Sequence, residues 1–75
     1  MADIKVEIVQ HIGVLSQNNQ TGWQVELNLI SWNDKPAKLD VRSWDPEHNK
    51  CSKGMTFTTE EARALKALLN ERIEL

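Results

Sequence analysis

Residues 36–54 of this chain, PAKLDVRSWDPEHNKCSKG, carry side chains whose types and spacing fit a definite chemistry. If residues 37–44 form a β-strand, alternate side chains lie on opposite faces. One face then carries Ala37, Leu39, Val41 and Ser43 and is predicted core, and the other carries Lys38, Asp40, Arg42 and Trp44. Further cations flank the strand: Lys35, Lys50 and Lys53. Cations interleaved with an aromatic ring on an exposed sheet face neutralise a phosphate backbone and stack bases, so the pattern predicts single-stranded nucleic-acid binding.

The charge of the chain is segregated along its length. The net charge of the 75 residues is −2, yet residues 35–53 hold five Lys and Arg side chains against three carboxylates. Segregated charge lets one face attract phosphate while the whole chain remains acidic. The excess is small, which argues against a tight non-specific binder of duplex DNA.

Other chemistries lack the groups that they need. His11, His48 and Cys51 are too few for a closed tetrahedral zinc site, so we predict no metal and no cofactor. His48 and Cys51 lie three residues apart without a third group to orient the base, which makes a nucleophilic pair a poor interpretation. Glu60 and Glu61 are better read as complementing the dipole at a helix start. The sequence predicts no enzyme.

Four strands and one helix are predicted to position these side chains. Apolar and polar residues alternate in each strand, Gly13 is predicted to mark a bulge or bend, and polar turn-forming segments separate the strands. The predicted strands are residues 4–15, 23–32, 37–44 and 55–57. The expected fold class is α+β: a curved four-stranded antiparallel sheet followed by one C-terminal helix, in a single domain covering residues 1–75.

The helix is predicted from its cap and from its apolar stripe. Thr58 and Glu61 fit a capping box, in which each side chain bonds the other residue's backbone N–H. The stripe consists of Ala62, Leu65, Leu68, Leu69 and Ile73. A chain of this length buries a small core, and the lone cysteine cannot form a disulfide within the monomer. We therefore predict a homodimer whose interface includes Leu65, Leu68, Leu69 and Ile73.

The tryptophans differ in what their positions predict. Trp44 is predicted to stack bases, with capping of the sheet edge or a dimer contact as the alternative. Trp32 lies on the same face as Asn28 but at the end of its strand, so a role in base stacking and a purely structural role stay equally open. Trp23 alternates with Val25 and is predicted to be core or interface, with a place in the binding groove as the alternative.

Three segments together resemble the transcriptional coactivator positive cofactor 4 family, especially its small bacterial relatives. These segments are LDVRSWDPE at residues 39–47, KGMTFTTEEARALKALL at residues 53–69 and GWQVELNLISWND at residues 22–34. The resemblance implies a homodimer of curved sheets that binds single-stranded DNA with little sequence preference, without catalysis or cofactor. By position, Lys38, Arg42, Trp44 and Lys53 match the DNA-contacting residues of the family. The basic, serine-rich tail of the eukaryotic relatives is absent from this sequence, so coactivator activity is not implied.

The leading prediction is a dimeric single-stranded DNA-binding protein that supports transcription, replication or repair. Its nucleic-acid-binding residues would be Lys38, Arg42, Trp44, Lys53, Trp32, Lys35, Lys50, Asn28 and Trp23. The same chemistry would accept RNA. The alternative is a protein-interaction module that docks a partner on an exposed tryptophan face. A lone cysteine and the lack of a signal peptide or a long apolar run predict a cytoplasmic protein without membrane or small-molecule partners, and association with the nucleoid stays open.

Overall fold

The computed structural model describes residues 4–72, which form one antiparallel sheet and one helix. The strands are hydrogen-bonded in the order β1-β2-β3-β4, and the helix follows the last strand. The elements are β1 (Val6–Gln17), β2 (Gln24–Trp32), β3 (Lys38–Trp44), β4 (Met55–Phe57) and α1 (Thr59–Arg72). The predicted α+β fold class is confirmed.

Strand β1 is irregular along most of its length. Its 12 residues pair with the 9 residues of β2, and the register shifts three times. Each shift leaves one apolar residue without a partner across the ladder, and these residues are Val9, Ile12 and Leu15. One shift lies beside Gly13, as predicted, and the other two involve no glycine. Bulges increase the local twist and bend a strand, so β1 curls relative to the regular ladder of β2 and β3.

The two faces of the sheet are buried to different degrees. The helix face carries Leu27, Leu39 and Val41, which are half-buried beside α1. The opposite face, called the distal face below, carries all of the buried residues in the part of the chain that the structure describes: Glu26, Asn28, Ile30, Asp40 and Trp44. The prediction that Trp44 lies exposed is wrong, because its residue surface is only 4% accessible.

The distal face is more deeply buried than the helix face because of contacts between residues that are far apart in sequence. Side chains of β1 and of the β3–β4 loop reach over the distal face, where His11 bonds Asn28 and His48 bonds Glu26. Helix α1, by contrast, packs only against β3 and β4 and buries none of its described residues. The helix face that was predicted to be core is therefore only partly covered within one chain.

The start of α1 follows the predicted capping box. The backbone N–H of Glu61 donates to Thr58 Oγ1 at 3.1 Å, and the backbone N–H of Thr58 donates to Glu61 Oε1 at 2.9 Å. Two donors that a helix start would leave without partners are thereby satisfied. This cap fixes where the chain turns from β4 into the helix.

Candidate nucleic-acid interface

Four lysines, called the marginal lysines below, lie at or near the two ends of β3. Lys35 precedes β3, Lys38 begins it, and Lys50 and Lys53 lie in the loop that joins β3 to β4. All four are exposed, and within residues 4–72 none takes part in a salt bridge. Their ammonium groups are available to neutralise phosphate.

Arg42 has a carboxylate partner within its own strand. Its Nε lies 2.6 Å from Asp40 Oδ1 and its Nη2 lies 2.7 Å from Asp40 Oδ2, a bidentate pair. The Asp40 side chain is fully buried and also accepts a hydrogen bond from Thr56 Oγ1 at 2.8 Å. The hydrogen bonds that Arg42 donates to Asp40 raise the pKa of Arg42 above its usual value, while partial desolvation opposes this effect. Arg42 is therefore a charge already compensated by Asp40.

The Arg42 guanidinium also covers an aromatic ring. Its Cζ lies 4.7 Å from the centroid of the Trp32 ring, within the range of a cation–π contact. Trp32 is half-buried, and its indole N–H is buried without a hydrogen-bond partner in the described structure. The structure thus brings Arg42 and Trp32 together on the distal face, as their shared sidedness predicts.

Trp44 is covered by a residue of the following loop. The His48 ring stacks on it with centroids 5.8 Å apart and an interplanar angle of 27°. The indole N–H of Trp44 is buried and has no partner among residues 4–72. Trp44 therefore presents little ring surface to solvent, and the exposed ring at this point is His48, whose side chain is 39% accessible.

A buried carboxylate ties this loop to the sheet. Glu26 is 1% accessible, and its two oxygens lie 3.0 and 2.8 Å from His48 Nε2. Asn28 Nδ2 donates to Glu26 Oε1 at 3.2 Å, and His11 Nδ1 lies 2.7 Å from Asn28 Oδ1. An ionised carboxylate only accepts hydrogen bonds, so His48 Nε2 is the donor to Glu26 when that carboxyl is ionised. By the same reasoning, the amide oxygen of Asn28 places the proton of His11 on Nδ1.

His11, Glu26 and His48 are not among the residues that the sequence predicts for the site. These residues belong to β1, β2 and the β3–β4 loop, and only the folded sheet brings them together. One feature of the sequence does point to this cluster: Glu26 and Asn28 form a row of polar residues in β2, on the same face of the sheet as Asp40. A strand with such a row needs polar partners from elsewhere if that face is buried.

The remaining residues predicted to bind nucleic acid lie in different surroundings. Asn28 is fully buried and is occupied by its bonds to His11 and Glu26. Trp23 is half-buried and borders a hollow of about 400 Å³ with the β3–β4 loop.

Gly54, which follows Lys53, leaves room for the neighbouring strand β3, because a Cβ atom there would collide with the Val41 carbonyl oxygen and with Arg42 Cβ.

Two of the predicted dimer residues, Leu65 and Leu69, line one groove. Leu65, Leu68 and Leu69 are 39%, 53% and 40% accessible, and Ile73 lies outside the described residues. An apolar groove of about 450 Å³ separates α1 from the helix face of the sheet. These leucines offer apolar surface that one chain does not bury.

Residues 4–72 contain no cluster of three or more His, Cys, Asp or Glu side chains placed to hold a metal ion. In the same part of the chain, α1 is neither long enough nor apolar enough to cross a lipid bilayer.

Comparison with known proteins gives two matches. A family model described as Transcriptional Coactivator p15 (PC4) matches residues 19–68. An uncharacterized protein of Treponema pallidum (strain Nichols) is 44% identical over 68 residues, which cover 91% of this chain and 79% of that protein. The family match contains β2, β3, β4 and all four marginal lysines, whereas β1 with His11 precedes it.

Proposed function

Because this chain belongs to the transcriptional coactivator p15 (PC4) family, we propose that it is a homodimer that binds single-stranded DNA with little sequence preference. The family is known for single-stranded DNA binding and for coactivation. The observation that carries the proposal is the presence of exposed lysines near both ends of β3 together with the rings of Trp32 and His48 on the distal face. Binding of this kind would support transcription, replication or repair in the cytoplasm or at the nucleoid.

The lysines would supply contacts to the backbone of the strand. Lys35 and Lys38 lie at the start of β3, and Lys50 and Lys53 lie near its end, in the loop segment that hydrogen-bonds to Ser43 and Asp45. A seven-residue strand spans about 23 Å, so the two pairs of ammonium groups can hold a strand across the face at separated phosphates. Lysine contacts to phosphate carry no base information, which is consistent with little sequence preference.

Arg42 would act mainly by positioning a ring. Its bidentate pair with Asp40 satisfies the planar fork that would otherwise bind phosphate, and its guanidinium lies over Trp32. We propose that Arg42 holds the Trp32 ring in place, whereas the lysines neutralise the phosphates.

Preference for single strands follows from stacking. A base can stack on a protein ring only when it leaves its own helix, so a single strand reaches the rings without the cost of unpairing. The same contacts would accept RNA, since they do not involve the sugar. The proposal includes no reaction and no cofactor.

The dimer would form on the other side of the sheet. Leu65, Leu68 and Leu69 are partly exposed on α1, beside an apolar groove that Leu65 and Leu69 line, on a domain too short to bury a large core. A second copy offers the same surface, and a two-fold pairing would cover both. The distal face would remain open to the DNA.

Fluorescence anisotropy of labelled oligo-dT and of a duplex of the same length tests the proposal, at about 50 mM and about 200 mM salt. We expect tighter binding to the single strand and weaker binding at the higher salt concentration. Equal affinity for both forms, or no binding to either, would refute the proposed function. In that case, salt-insensitive capture of a protein partner would favour the interaction module.

A further inference from the structure

A hollow of about 250 Å³ opens between β1 and the β3–β4 loop on the distal face. Its wall consists of Ile8, His11, Gln24, Glu26 and His48. The wall therefore combines an apolar side chain, two imidazole rings, an amide and a buried carboxylate. The hollow differs in place from the groove beside α1, which is lined by other residues.

We propose that this hollow is a nucleobase subsite and that His48 is the ring on which the base stacks. The inference rests on the proposed function and adds to it a specific contact residue. It replaces Trp44 as the exposed stacking ring, because Trp44 is 4% accessible and lies behind His48.

The His48 ring is held in place before any ligand binds. Trp44 stacks on one face of the ring, which leaves the opposite face for a base. Glu26 accepts a hydrogen bond from Nε2 and fixes the orientation of the ring about its side-chain bonds. The backbone N–H of His48 donates to the Asp45 carbonyl oxygen at 3.0 Å, closing a turn in which His48 has φ of 60°. A ring restrained by three different contacts loses little conformational freedom on stacking.

The polar groups of the wall suit the edge of a base. The amide oxygen of Asn28 accepts from His11 Nδ1, so in a neutral His11 ring the Nε2 atom is an acceptor, and in a protonated ring it is a donor. Gln24 offers both an amide donor and an amide acceptor. Such a set can pair with donors or acceptors on any of the bases, so the subsite would hold a base without selecting strongly among the four. Lys50 follows His48 by two residues and would contact the adjoining phosphate.

The first test compares three variants in the anisotropy assay with oligo-dT. His48→Ala removes the ring, and we expect binding to weaken about 5- to 150-fold, the range for loss of one aromatic stacking contact. His48→Phe keeps a ring without the bond to Glu26 and should retain most of the affinity. Asn49→Ala, in the same exposed loop, is the matched control and should bind as the parent protein does.

The second test locates the base directly in the unaltered protein. An oligonucleotide with iodouracil in place of single thymines is irradiated, and the cross-linked residue is identified by mass spectrometry. We expect His48 to carry the cross-link. This measurement does not depend on how well any variant folds.

The outcomes separate this inference from the proposed function. If the parent protein binds no single strand, both fail. If it binds and His48→Ala binds equally well, or cross-links form only outside the wall of the hollow, the subsite alone is refuted. If His48→Phe loses as much affinity as His48→Ala, the bond to Glu26 matters rather than the ring, and stacking on His48 is refuted.

Discussion

Replacing the marginal lysines should change the salt dependence of DNA binding by a calculable amount. Each phosphate of a single strand that a protein neutralises contributes a slope of about −0.7 to the dependence of log K on log salt. Four lysines, Lys35, Lys38, Lys50 and Lys53, are exposed and free of salt bridges within residues 4–72. If each contacts one phosphate, the slope is about −2.8 for one protomer.

This slope has a direct consequence for affinity. Raising the salt concentration from about 50 to about 200 mM should weaken binding about 50-fold for one protomer. Each Lys→Gln substitution should make the slope shallower by about 0.7, so a Lys50→Gln/Lys53→Gln double variant should retain a slope of about −1.4. An Arg42→Gln variant should change the slope less, because Asp40 already compensates that charge at 2.6 Å.

The assay is anisotropy of a labelled oligo-dT of about ten nucleotides, titrated at five salt concentrations between these limits. Lys66→Gln is the matched control, since Lys66 lies on α1 and should leave the slope unchanged. Size-exclusion chromatography of each variant checks that its oligomeric state is that of the parent. An unchanged slope in the double variant, or an equal loss in the Lys66 control, would refute the assignment of phosphate contacts to these loops.

Three further perturbations have defined outcomes. Leu68→Glu should weaken the dimer at least about 30-fold, because the two half-exposed Leu68 side chains, one from each protomer, would together contribute about 2–3 kcal/mol on burial. An unchanged mass by analytical ultracentrifugation would contradict this interface. Gly54→Ala should destabilise the fold by about 1–3 kcal/mol through collision with β3, measured by urea denaturation; a neutral effect would show that β4 shifts freely. The backbone N–H of Lys50 donates to Asp45 Oδ1 at 2.8 Å and thereby lowers the pKa of Asp45. The stability that this hydrogen bond gives the loop is therefore fully present above pH about 4, and it is lost as the pH falls through the lowered pKa. An NMR titration of the Lys50 amide should have its midpoint below the ordinary value for Asp, and a midpoint at or above that value would contradict the assignment.

The elements could be predicted because their signals are local. Alternation defines β2 and β3, and the reciprocal bonds of Thr58 and Glu61 set the start of α1 within a few residues of sequence. The exposure of the four lysines also follows from local position, since loops and strand ends lie at the surface.

The burial of the distal face could not be predicted in this way. It depends on three bulges in β1, only one of which has a glycine beside it, and on a loop that folds back over the sheet. His11 and Glu26 are 15 residues apart in sequence, and Glu26 and His48 are 22 apart. No periodicity joins them, so the exchange of Trp44 for His48 as the exposed ring appears only in three dimensions.

An NMR titration of the backbone amides and indole N–H groups with oligo-dT would test most directly whether the distal face binds the strand. We expect the largest shifts at the amides of residues 45–50, which include His48, and at the indole group of Trp32, with little change along α1. Shifts concentrated at Leu65 and Leu68, or spread evenly over both faces of the sheet, would contradict a binding site on the distal face.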